Sequence, residues 1–243
     1  MKNIVAKSAV AGTVLLLSAS AAFATAINVQ FGAASAAQQQ TGAAAIGAAG
    51  DYWNYSNAAS GTNSLLDTKQ AATGVSVTFA ASGVYTSAAG SSAFSGTQYA
   101  NLMQGYLYAS GSNTITLTLK GLAAGQGYNL DFYTQGDAQA SGRSSAVTVN
   151  SVTATSTQTN AGTFIQGNNY LVFSGAADAL GYVSIGVVAK SGEANVNGLQ
   201  LVTATVPEPS TLALVGAGLA SLGLLSRRRP VRPCRIRNGN GPR

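Results

Sequence analysis

The chain has 243 residues, 46% hydrophobic and only 8% charged, with no histidine, one cysteine and a formal net charge of +6. The positive excess sits at the ends: between Ile27 and Val206, four cations (Lys69, Lys120, Arg143, Lys190) face six carboxylates (Asp51, Asp67, Asp131, Asp137, Asp178, Glu193), a net −2, so no basic surface for DNA or RNA is expected. The missing histidine removes Ser-His and Cys-His activation and histidine metal sites, and the single Cys234 provides neither a disulfide framework nor a thiolate cluster.

At the N-terminus, Lys2 and Lys7 precede an apolar run from Ala9 to Leu17, the charge and length pattern of a secretory signal peptide. Ala22-Phe23-Ala24 and Ala24-Thr25-Ala26 both satisfy the small-x-small cleavage rule. Cleavage after Ala26 is the expectation, because Ile27-Asn28-Val29-Gln30-Phe31 then opens as an alternating strand. An uncleaved anchor is the alternative, and the apolar core is short for one. Residues 1–26 are thus assigned to the signal and 27–205 to one exported domain.

Ala33 to Gly50 is low in complexity and contains Gln38-Gln39-Gln40; it predicts a loop or poorly ordered segment. Beyond it, apolar residues alternate with small polar ones around Val75–Phe79, Ile115–Leu119, Tyr128–Phe132, Val147–Val149, Tyr170–Phe173 and Val183–Val187, and Val196–Val202 closes the series. Alternation places one strand face on a core and the other in water. With Ile27–Phe31 this predicts about eight strands separated by Gly/Ser/Asn turns: an all-β, antiparallel, jelly-roll-like β-sandwich. Lys120 to Tyr128 reads as a strand connection, with Gly121, Gly125 and Gly127 supplying unusual backbone angles.

Candidate chemistry within the domain is sparse. No Gly-x-Ser-x-Gly elbow, P-loop or dinucleotide fingerprint occurs, and no cofactor is expected. Glycoside hydrolysis needs two carboxylates about one bond; Asp131 reads as a solvated strand residue and Asp137 as a turn residue. Asp51, Glu193, Asn195 and Asn197 have the oxygen chemistry calcium prefers, but solvated turn residues are the simpler reading, and no metal site is assigned. Tyr52, Trp53 and Tyr55 cluster after Asp51, and Tyr106 and Tyr108 form a second group. Tyr52, Trp53, Tyr106 and Tyr108 are candidate ligand-binding rings, able to stack on sugars; ordinary core packing is the competing role, above all for Trp53, the only tryptophan.

The chain closes with Val206-Pro207-Glu208-Pro209-Ser210, an uncharged run from Thr211 to Leu225, and Arg227-Arg228-Arg229. The two prolines separate the domain from the apolar run. The run is 15 residues against the ~20 of a bilayer-spanning helix, a shortfall that arginine snorkelling and local bilayer thinning can cover. It predicts a transmembrane helix with the arginines on the cytoplasmic side; a buried helix of a soluble domain is the alternative. Residues 206–229 form the sorting and anchor segment and 230–243 a basic disordered tail.

The order of Val206 to Ser210, apolar run and arginines resembles the PEP-CTERM sorting domain of Gram-negative bacteria. That resemblance implies recognition by exosortase, a membrane enzyme, with processing at the Pro-Glu-Pro region, and export in species that make exopolysaccharide and grow in flocs or biofilms. The continuation from Pro230 to Arg243 departs from the family, whose tails stop soon after the arginines. Asn28-Val29-Gln30-Phe31-Gly32, the strand pair around Leu119 to Phe132 and Val196-Asn197-Gly198-Leu199-Gln200-Leu201 resemble galactose-binding-like jelly rolls more distantly.

The sequence therefore reads as a non-catalytic, exported surface or matrix protein, sorted at the membrane by exosortase and associated with exopolysaccharide. A carbohydrate-binding module is the alternative, and a secreted enzyme with an atypical site the second.

Overall fold

The computed structural model describes residues 25–87, 92–137 and 142–204. The signal peptide through Ala24, the Val206–Ser210 motif, the apolar run, Arg227 to Arg229 and the 230–243 tail lie outside the described residues. Among those described, fourteen strands and one four-residue helix, α1 (Ala100–Met103), are formed. No helix among the described residues is long and apolar enough to cross a membrane.

Three sheets build an all-β sandwich. The first orders β11 (Tyr170–Ala176), β8 (Gly127–Tyr133), β14 (Gly198–Thr203), β1 (Ala26–Phe31) and β2 (Asn54–Ser56). The second orders β10 (Val152–Thr157), β9 (Ser144–Val149), β12 (Val183–Ser191), β7 (Thr114–Lys120), β4 (Ala72–Ala80) and β3 (Ser60–Leu66). The third orders β13 (Glu193–Val196), β6 (Gly105–Ser110) and β5 (Gly83–Thr86). Every pairing is antiparallel except β1 with β2, which is parallel.

The alternating runs become strands as expected because their apolar halves face one core. Ile115, Leu117 and Leu119 of β7 and Val183, Ile185 and Val187 of β12 join Ile27, Val29 and Phe31 of β1, Leu130 and Phe132 of β8, and Leu199 and Leu201 of β14 in a single buried cluster. The rings of Phe31 and Phe79 meet edge-on at 5.1 Å. Each fully buried side chain of this size contributes about 1.5–3 kcal/mol.

Four expectations are revised. The described strands number fourteen rather than eight, because β2, β3, β5, β10 and β13 are short or polar and β6 is buried on both faces rather than alternating. The run Val196–Val202 is broken at Asn197, whose side chain accepts from Gln135 N–H (2.6 Å) and donates to the Gly105 carbonyl (3.0 Å), so β13 and β14 separate into different sheets. The Lys120–Tyr128 connection joins β7 to β8 across the sandwich; Gly121 and Gly125 take φ of 93° and 73° there, while Gly127 begins β8.

The fourth revision is the Ala33–Gly50 segment. It is irregular apart from a 3-10 turn at Ala36–Gln38, as a loop should be, but it is tied down against the outer side of the first sheet. The Trp53 indole N–H donates to the Gly42 carbonyl (2.8 Å), Ala45 N–H donates to the Tyr133 hydroxyl (3.0 Å), and the Gln200 amide donates to the Ile46 carbonyl (3.3 Å). Under it lies a second core of Ala44, Trp53, Phe94, Leu102, Met103 and Tyr133. Glutamine and alanine there are packing and bonding material, which composition alone does not reveal.

Candidate functional site

The two large sheets end side by side at β2 and β3, each an edge strand. Asn54 joins these edges. Its amide donates to the carbonyls of Leu66 (2.8 Å) and Asn28 (3.0 Å), and its side-chain oxygen accepts Leu66 N–H (2.9 Å). An asparagine can imitate a backbone peptide in this way, so one side chain replaces a missing ladder rung. Its hydrogen-bonding groups are occupied, which makes Asn54 a positioning residue.

Above this staple opens a groove of about 420 Å³. Tyr52 and Tyr55 form one wall, and Thr62, Asn63 and Ser64 of β3 the other, with Leu66 between them. Tyr55 is exposed and Tyr52 half-buried. No lining residue carries a charge. Thr62 shares its hydroxyl with Thr78 at 3.0 Å, whereas the Asn63 amide and Ser64 hydroxyl have no protein partner among the described residues. The groove thus offers two phenol rings and free amide and hydroxyl groups, the mixture that suits a polar, uncharged ligand.

The other candidate rings are placed differently. Trp53 is wholly buried with its N–H engaged, so it presents no face to a ligand. Tyr106 is 3% exposed and its hydroxyl is hydrogen-bonded to Arg143. Both are corrections to the sequence-based expectation, and the cause is the same: each phenol or indole is seated between elements distant in sequence. Tyr108 is half-buried and lies over Gly83, where a Cβ would stand 2.5 Å from its hydroxyl. Sequence reasoning overlooked Thr62, Asn63 and Ser64, which no motif marks, and Tyr85, which stands 40% exposed against Tyr106 at 5.2 Å.

The carboxylates are dispersed among separate partners. Asp51, expected in a turn, is buried and accepts Lys69 Nζ at 3.1 Å and Ala48 N–H at 2.8 Å. Asp67 accepts the N–H groups of Lys69 and Ala71, and Asp178 those of Leu180 and Tyr182, all at 2.8 Å; these two are turn residues. Arg143 gathers Glu193 (3.1 Å) and Asp137 (3.7 Å), and Asn195 donates to Glu193 at 2.8 Å. Glu193 and Asn195 therefore belong to a strand and an ion pair rather than to a solvated turn, and no group of three metal-ligating side chains forms among the described residues. Asp131, expected to be solvated, is buried on the outer side of β8 between Val172 and Gln200, and burial holds its carboxyl above the usual range.

The Arg143 cluster yields two predictions. Arg143→Met removes the guanidinium shared by the partly buried carboxylates of Glu193 and Asp137 and is expected to cost about 2–3 kcal/mol, visible as a fall of several degrees in melting temperature. Burial also raises Tyr106 to about 12, against the lowering effect of its Arg143 bond. Its phenol ionises more readily in the unfolded chain, near pH 10, than in the folded one. The stability it confers is therefore complete below pH 10 and is lost as pH climbs from 10 to 12. Melting temperature should fall across that window, and the fall should be shallower in Tyr106→Phe.

Comparison with known proteins adds a separate finding. None of the curated proteins matches this chain. Among solved structures, it is similar to an exo-β-1,3-galactanase from Phanerochaete chrysosporium, crystallised with β-1,3-galactotriose, at 17% identity and a TM-score of 0.32. The similarity covers 51% of this chain and 26% of that one, so this chain spans about a quarter of the galactanase's length. Residues 205–229 match the PEP-CTERM protein-sorting motif, which implies an exported, envelope-associated protein processed by the membrane enzyme exosortase: the chain is a β-sandwich carrying a PEP-CTERM sorting signal directly after the last of its described strands.

Proposed function

We propose that this protein is a non-catalytic component of the outer surface or extracellular matrix of a Gram-negative bacterium, held in the exopolysaccharide of a floc or biofilm, with the Tyr52/Tyr55 groove as its glycan contact. The sorting motif at 205–229 carries the envelope part of this reading. The groove supports the polysaccharide part: it is open, uncharged and flanked by two tyrosines with unpartnered amide and hydroxyl groups beside them. The non-catalytic part is supported by the engagement of Asp51 with Lys69, of Asp137 and Glu193 with Arg143, and of Asp67 and Asp178 with backbone turns.

Affinity electrophoresis of the exported protein through gels containing the host's extracellular polysaccharide tests the groove. Wild type is expected to be retarded, and Tyr52→Ala and Tyr55→Ala each to weaken retention about fivefold to tenfold, the effect of removing one contact ring. Unaltered retention in both variants would move the contact elsewhere on the sandwich. An unretarded wild type would remove polysaccharide binding from the proposal.

A further inference from the structure

Signal removal leaves a choice between two adjacent sites, and the sheet distinguishes them. Thr25 and Ala26 are already part of the fold. Thr25 N–H donates to Thr203 Oγ1 at 3.1 Å, and the Thr25 carbonyl accepts Thr203 N–H at 2.9 Å. Ala26 is in register with Val202, and its carbonyl accepts Thr68 N–H at 2.9 Å. Cleavage after Ala26 would delete both acceptors and strand the N–H of Thr203, which is 2% exposed. It would also put a new α-ammonium on Ile27, a fully buried residue, where an unsolvated charge is strongly disfavoured.

Cleavage after Ala24 has neither fault. Thr25 is half-buried, so its ammonium keeps one proton on Thr203 Oγ1 and turns the others to water. Ala22-Phe23-Ala24 supplies the small residues such a site requires. We infer that a membrane-bound leader peptidase hydrolyses the Ala24–Thr25 bond. Water adds across it, leaving a carboxylate on Ala24 and an ammonium on Thr25, and the mature chain begins at Thr25 rather than Ile27.

The same contacts fix a second feature of the mature domain. Thr25 and Thr203 are bonded neighbours, and Ala204 N–H donates to the Gly127 carbonyl at 2.8 Å. The chain thus enters and leaves the sandwich at one pole, and the removed leader and the sorting motif are attached to adjacent strand ends.

This assignment rests on the export reading, and the test separates the two. The full-length chain is expressed in a Gram-negative host, recovered from envelope and medium, and its N-terminus read by intact mass and terminal sequencing. A Thr25 start is expected. An exported protein starting at Ile27, or at any other residue, overturns the assignment and leaves export standing. A Met1 start confined to the cytosol overturns both. Ala22→Asp places a charge three residues before the Ala24–Thr25 bond and five before Ala26–Ile27, so precursor should accumulate; processing at the wild-type rate would overturn the assignment.

Discussion

A chain that stops at Ala204 is expected to fold and be exported, and then to lose both C-terminal processing and retention at the envelope. Among the described residues, β14 ends at Thr203, and the Ala204–Gly127 bond closes the last backbone contact. Deletion removes the Pro-Glu-Pro break, the 15 uncharged residues and the three arginines together. A single charge tests the same point more sparingly. Arginine at the centre of a membrane segment costs about 2.5–3.5 kcal/mol where leucine gains a few tenths, so Leu219→Arg is expected to reproduce most of the deletion phenotype. Fractionation with immunoblotting reads both variants. Wild-type envelope retention in the truncated chain would separate sorting from the tail.

Trp53→Ala is expected to cost about 3–5 kcal/mol, the usual penalty for emptying a large buried aromatic site. The indole is fully buried among Phe94, Leu102, Met103 and Tyr133, and its N–H holds Gly42. Removal leaves a cavity and an unsatisfied carbonyl and unfastens the loop above. At ~2–4 °C per kcal/mol for a domain of this size, melting temperature should drop by ~6–20 °C. Trp53→Phe keeps much of the volume and loses only the hydrogen bond, so about 1–2 kcal/mol is expected. Amide exchange should accelerate first between Ala33 and Gly50. Because Tyr52 adjoins Trp53 in the chain and lines the groove, Trp53→Ala should also weaken any ligand held there. A Trp53→Ala protein as stable as wild type would contradict the second core.

Strands with one wet face were legible in the sequence. Thr114-Ile115-Thr116-Leu117-Thr118-Leu119 alternates because its threonines meet solvent and its aliphatics the core. The polar edge strand β3 was hidden: only Leu65 of its seven residues is buried, so hydrophobic periodicity has nothing to register. The outer face of the first sheet misled in the opposite direction. Asn28, Gln30, Asp131 and Gln200 occupy positions that alternation assigns to water, yet all are buried, and the loop bonds directly to Gln30 and Gln200. That cover is tertiary, written in glutamine side chains rather than in a period.

The candidate site divides along the same line. Tyr52 was visible as part of an aromatic cluster. Its opposite wall, Thr62 to Ser64, depends on the Asn54–Leu66 bonds that draw two edge strands together, and no local pattern announces that contact. Tyr106 resembled a ligand platform because a tyrosine buried beside an arginine distant in sequence has the same local sequence as an exposed one. The sorting signal was fully legible because its physics is linear: a rigid break, an uncharged run and a cationic stop act in chain order without a fold to assemble them.

C-terminal mass spectrometry of the protein recovered from the envelope tests the central claim most directly. If exosortase sorts this sandwich through residues 205–229, the recovered chain ends near Pro207 to Pro209 and contains no peptide from Thr211 onward. A recovered chain carrying intact Arg227 to Arg229 and the sequence on to Arg243 would contradict it.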